Sequence, residues 1–129
     1  MATYLLDTNI IIDAVNGKKG RNASLIGLAE EGHTLACCPV NVAEVYAGLR
    51  PKEEARTAAL LQSLQFFPIT FPVAELAGRL KCDHARKGQT LSISDTMIAA
   101  VALHYRLTLI TDNAKDFPMA DLSFHSLAG

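Results

Sequence analysis

The sequence predicts an α/β fold built on a central, mainly parallel sheet of about five strands. Short apolar runs alternate with stretches of helical periodicity along the chain. The runs carry no polar face, as in strands covered by helices on both sides. Two of them, Tyr4-Leu5-Leu6 and Leu107-Thr108-Leu109-Ile110, stop at acidic segments headed by Asp7 and by Thr111-Asp112. Strand–helix alternation with right-handed crossovers makes the strands parallel and gathers their carboxyl ends on one edge. Open α/β sheets take their ligands at that edge.

The chain of 129 residues is read as one domain, residues 1–129, long enough to bury a core. Half the residues are hydrophobic and 19% are charged, which excludes a disordered chain. The net charge of −1 does not have the basic excess of duplex-binding domains. Cys37, Cys38 and Cys82 form neither a disulfide framework nor a zinc spacing, which fits a reducing cytoplasm. No apolar run is long enough to span a membrane, and Asp7 and Asp13 interrupt any leader-like stretch.

The first strand, Tyr4 to Leu6, runs into Asp7, and Thr8 and Asn9 are expected to cap a helix through Ile10-Ile11-Ile12. A polar, basic loop from Asn16 to Arg21 follows. Asn22 is the expected cap of a second helix over Ala23 to Glu31, ended by Gly32. Thr34 to Cys38 is the second strand, closed by Pro39; its adjacent cysteines point to opposite faces. A third helix from about Asn41 to Leu49 has the apolar stripe Val42, Val45 and Leu49, with Glu44 off that stripe near the ligand edge. Pro51 opens a fourth helix, Phe66 to Ile69 is a third strand, and Pro72 opens a fifth helix that Gly88 ends. Ser94 is the expected cap of an Ala-rich sixth helix, with Asp95 in its first turn. Leu107 to Ile110 is the fourth strand, and Leu122 to Leu127 a last edge strand.

Each acid has a structural explanation on its own, as a cap, a turn residue or a solvated charge. Their positions, however, all converge on one rim. Carboxylates gathered there repel one another and call for a cation. An all-oxygen set without nearby His or Cys selects Mg²⁺ or Mn²⁺. Such ions suit in-line attack of water on a phosphodiester.

Four segments then resemble, in order, the motifs of the PIN domain, and within it the VapC-type toxins of toxin–antitoxin pairs. They are Leu6-Asp7-Thr8-Asn9-Ile10-Ile11-Ile12-Asp13, Ala43-Glu44-Val45-Tyr46-Ala47-Gly48-Leu49, Asp95-Thr96-Met97-Ile98-Ala99-Ala100-Val101-Ala102 and Thr111-Asp112-Asn113-Ala114-Lys115-Asp116-Phe117. The resemblance implies a three-layer α/β/α fold and a metal-dependent endoribonuclease. It implies an acidic site of Asp7, Glu44, Asp95 and Asp116, with Asp7, Asp95 and Asp116 as ligands of Mg²⁺ (or Mn²⁺). Thr8 and Asn113 would orient carboxylates or waters. Asp112 is the reserve for the fourth acid. Also implied are an RNA substrate, a homodimer in the cytoplasm and a cognate VapB-type antitoxin, through which alone DNA would be bound. Lys18, Lys19, Arg21, Arg50, Lys52 and Lys115 are candidates for phosphate contacts. The rival of another class is a catalytically inactive interaction module of the same fold. A phospho-acceptor receiver domain is excluded, because the third strand ends in Ile69-Thr70-Phe71 rather than in an Asp.

Overall fold

The structure, a computed structural model, describes residues 1–127. Its strands are β1 (Thr3–Leu6), β2 (Thr34–Cys37), β3 (Gln65–Phe66), β4 (Thr108–Ile110) and β5 (Ser123–His125). They form one sheet in the order β3-β2-β1-β4-β5, and every pairing is parallel. The helices are α1 (Thr8–Val15), α2 (Arg21–Glu30), α3 (Pro39–Ala47), α4 (Glu54–Ser63), α5 (Phe71–Arg86) and α6 (Ile93–Tyr105). No helix among the described residues is long and apolar enough to cross a membrane.

Strand alternation divides the core into two. Leu5 lies in register with Ala36 on one side and Leu109 on the other, and this row faces Val73 and Ala77 of α5 and the α6 run Ile98 to Ala102. Tyr4, Leu6, Cys37 and Ile110 point the other way, onto Ile10, Ile11 and Ala14 of α1, Leu25 and Leu28 of α2, Val45 of α3 and Leu61 of α4. Cys37 and Cys38 are buried in opposite cores, as their adjacency in an extended run requires. The result is a three-layer α/β/α arrangement. From β1 the chain winds one way to β2 and β3 and the other way to β4 and β5, so the order reverses between β1 and β4. Ligands of open α/β sheets bind at the carboxyl end of such a reversal.

Several boundaries differ from the sequence reading, each for a local reason. The cap of α1 is Asp7 itself, whose Oδ1 accepts the Thr8 N–H, so Thr8 and Asn9 lie inside the helix. Helix α2 starts at Arg21, one residue before the expected Asn22 cap, after Gly20 turns the chain at φ +63°. Pro39 opens α3 rather than merely closing β2, because a first-turn residue needs no amide donor. Ser92, not Ser94, caps α6: it is extended, and its Oγ accepts the Asp95 N–H three residues on at 3.0 Å. Strand β3 is shorter than the Phe66 to Ile69 run and sits exposed at the sheet edge.

Leu109 is completely buried in the central row, so Leu109→Ala is expected to cost about 2–5 kcal/mol. Urea unfolding should show a lower midpoint with an unchanged slope.

Candidate active site

Asp7 ends the central strand at the reversal point. Its backbone N–H donates to the Ile110 carbonyl at 2.9 Å, which continues the pairing of β1 with β4 by one step. That step leaves the side chain buried, 8% exposed, at the start of α1. One carboxylate oxygen accepts the Thr8 N–H at 2.8 Å, and the other accepts the Thr111 hydroxyl at 2.7 Å. Thr111 Oγ1 in turn accepts the Asn113 N–H at 2.9 Å. Burial pushes the Asp7 carboxyl above its ordinary range; the Thr111 and Thr8 hydrogen bonds oppose that shift, and the charges of Glu44 and Asp116 add to it.

Glu44 stands on the exposed side of α3, and Thr8 reaches it from α1. The Thr8 hydroxyl donates to Glu44 Oε1 at 2.6 Å. The Thr8 hydroxyl oxygen itself accepts from Asn41 Nδ2 at 3.2 Å. Asn41 is wholly buried, and its Oδ1 accepts the Cys38 N–H at 2.9 Å.

Asp95 comes from the first turn of α6, where helix N–H groups favour a negative charge. Its carboxyl is nevertheless raised, first by burial and then by the charges of Asp7, Asp116 and Glu44, with the Ser92 side chain pulling the other way. Asp116 closes a short 3₁₀ turn, Ala114–Asp116, after β4, and its N–H donates to the Asn113 carbonyl. Asp95 and Asp116 line a cleft of about 240 Å³ with Gln89, Thr90, Leu91, Ser92, Lys115 and Pro118.

Asp112 faces elsewhere. Its Oδ1 accepts from Arg21 Nη2 at 2.7 Å, and Lys19 Nζ lies 3.8 Å from its other oxygen. Arg21 is 2% exposed, so it is no rim cation free to meet a phosphate. Lys19 is shared between Asp112 and Asp13, and Arg50 pairs with Glu53 at 2.8 Å. The hydroxyl on Asp7 is that of Thr111, a residue the sequence reading did not single out; Asn113 supports it through its backbone. A Thr directly after a strand, beside a strand that ends in Asp, was the available signal.

The donor set is all carboxylate and hydroxyl, the chemistry of a hard divalent ion. Among the described residues no three His, Cys, Asp or Glu side chains converge as a ready-made ligand cage. The acids form an open rim, which fits an ion of the Mg²⁺ kind, since Mg²⁺ retains several waters and takes one or two carboxylates. Asp7 and Asp95 are both raised, first by burial and then by the charges of Glu44 and Asp116, a stress that a cation there would relieve.

Comparisons with known proteins bear on the family and the fold. The family model for the PIN domain matches residues 4–121. Ribonuclease VapC19 of Mycobacterium tuberculosis is 29% identical over 115 residues, covering 89% of this chain and 92% of that protein. A solved toxin–antitoxin complex from Klebsiella pneumoniae contains a chain 30% identical, with a TM-score of 0.73 and 92% of each chain covered. VapBC2 from Rickettsia felis, solved bound to a DNA fragment from its promoter, superposes with a TM-score of 0.85 over 97% of this chain and 98% of that one, at 24% identity.

The two acids after β4 should separate by experiment. Asp112→Ala takes the carboxylate away from a buried arginine and is expected to cost about 3 kcal/mol of stability. Asp116→Ala removes one of several mutually repelling charges and should leave the unfolding free energy within about 0.5 kcal/mol of the native protein. Thermal and urea denaturation of the two variants side by side check this.

Proposed function

Because the chain belongs to the PIN-domain family, we propose that it is an endoribonuclease and the toxin member of a toxin–antitoxin pair. The observation that supports this most is the convergence of Asp7, Glu44, Asp95 and Asp116, from four separate elements, on one rim where their charges act on one another. The relatives named as VapC ribonucleases supply the reaction class.

The reaction is hydrolysis of an RNA phosphodiester. A water oxygen forms a bond to phosphorus, the bond from phosphorus to the 3′-oxygen breaks, and that oxygen leaves with a proton. Asp7, Asp95 and Asp116 would hold Mg²⁺ (or Mn²⁺). When bound, the ion supplies positive charge to the phosphoryl oxygens and lowers the pKa of water. Thr111 and the Thr8 backbone fix both oxygens of Asp7, so that carboxylate cannot swing away. Thr8 holds Glu44 by one oxygen, leaving the other directed by the helix on which it stands. The cleft beside Asp95 and Asp116 gives the strand a path, with Lys115 in its wall to meet a phosphate.

The same reading extends to the assembly. A cognate VapB-type antitoxin binds this chain, a reading supported by the toxin–antitoxin complex from Klebsiella pneumoniae, and DNA is contacted only through that antitoxin. The toxin itself acts as a homodimer in the cytoplasm.

Purified, antitoxin-free protein incubated with total cellular RNA and Mg²⁺ should yield discrete fragments with 5′-phosphate ends. EDTA should abolish cleavage, and Mn²⁺ or Mg²⁺ should restore it. Asp7→Asn and Asp95→Asn should each lose at least about 100-fold in rate. Asp7→Asn should also melt at or above the native temperature, because it removes a buried charge while an amide oxygen can still accept the Thr8 N–H. Full activity in both variants overturns the site. Absence of cleavage together with absence of Mn²⁺ binding favours the inactive interaction module.

A further inference from the structure

We propose that Asn41 is a positioning residue: it fixes the direction of a hydrogen-bond relay that runs from the α3 backbone through Thr8 to Glu44. The proposal rests on the ribonuclease reading above and extends it to a residue that does not touch the substrate.

The direction follows from donor and acceptor chemistry. The Cys38 backbone can only donate at its N–H, so the Asn41 atom facing it at 2.9 Å must be the carbonyl oxygen. The amide nitrogen is therefore the atom that faces Thr8 Oγ1 at 3.2 Å, and it can only donate. A hydroxyl has one hydrogen. With its oxygen already accepting from Asn41, that hydrogen is turned to Glu44 Oε1, 2.6 Å away. Every link has one permitted polarity, and the chain ends on Glu44 Oε1.

Burial makes the relay rigid. Asn41 has no exposed surface and Thr8 is 8% exposed, so solvent water has little access to replace either partner. Glu44 itself stands on an exposed stretch of helix, where a free glutamate would sample several rotamers. The relay therefore gives an exposed carboxylate the fixed orientation of a buried amide. Asn41 also satisfies the N–H of Cys38, the N-cap of α3, so truncating it touches both the helix and the site. The test has to separate those two effects.

Asn41→Asp keeps the oxygen that accepts from Cys38 and removes the amide donor, whereas Asn41→Ala removes both. Both are expected to lower kcat for RNA cleavage by about 10–100-fold, with KM and the Mn²⁺ binding isotherm changed less than about threefold. Thr8→Val should fall equally, and Thr8→Ser should recover most of the rate. The double variant Asn41→Ala/Thr8→Val should be no slower than the worse single variant, because both cut the same chain. In the metal-free protein, NMR should show a Thr8 hydroxyl proton protected from solvent, with a cross-peak to the Asn41 side-chain amide; Asn41→Ala should abolish the protection. Full kcat in Asn41→Asp, or losses that multiply in the double variant, overturns the relay and leaves Asn41 as a helix cap. An inactive native protein overturns the ribonuclease reading itself, and the positioning role with it.

Discussion

A carboxylate held at the buried end of a central strand is the constraint around which this molecule is arranged. Asp7 is where it is because β1 pairs with β4 up to its last residue, and because α1 must start there. Removing its charge from water is costly, and the fold answers with two hydrogen bonds from fixed donors, one from the helix backbone and one from Thr111. These only partly offset the cost, since burial and the neighbouring acids still hold the carboxyl above its usual range. Stability is given up locally at this rim, which is the common pattern at functional sites.

The acids in and beside the candidate site divide into two kinds by what they face. Asp112 meets buried Arg21 and also Lys19, so its charge is matched inside the fold, and it fastens the start of α2 to the end of β4. Asp7 and Asp95 instead feel the charges of Glu44 and Asp116. Two residues four apart on one short segment, Asp112 and Asp116, thus do opposite work. The first anchors the segment, and the second sits in the wall of a cleft that the anchored segment positions.

Much of this was legible in the chain. The two-sided apolar runs at Tyr4–Leu6 and Leu107–Ile110 gave the strands, because a strand covered on both faces has no polar positions to spare. The in-order motifs gave Asp7, Glu44, Asp95 and Asp116. Sequence reasoning went astray where a residue's role depends on a partner far along the chain. Arg21 reads as a loop cation but lies buried, because Asp112 is 91 residues away in sequence and 2.7 Å away in space. Asn41 reads as an ordinary first-turn residue, and Thr111 as a strand-end polar residue. Each matters only because α1 and β1 are folded against it.

By itself, then, the sequence determined the class of fold, the strand and helix segments to within a few residues, and which acids to put forward for the site. These depend on local periodicity and on covalent neighbours. Only the tertiary structure decided that β1 is central, with β4 at its side, since strand order is a matter of how crossovers pack and not of any one segment. Only it matched Asp112 with Arg21, put Thr111 on Asp7, and ran the relay from Cys38 through Asn41 and Thr8 to Glu44. Hydrogen bonds hold only within about 3 Å and along fixed directions, and periodicity carries no information about distance across the fold.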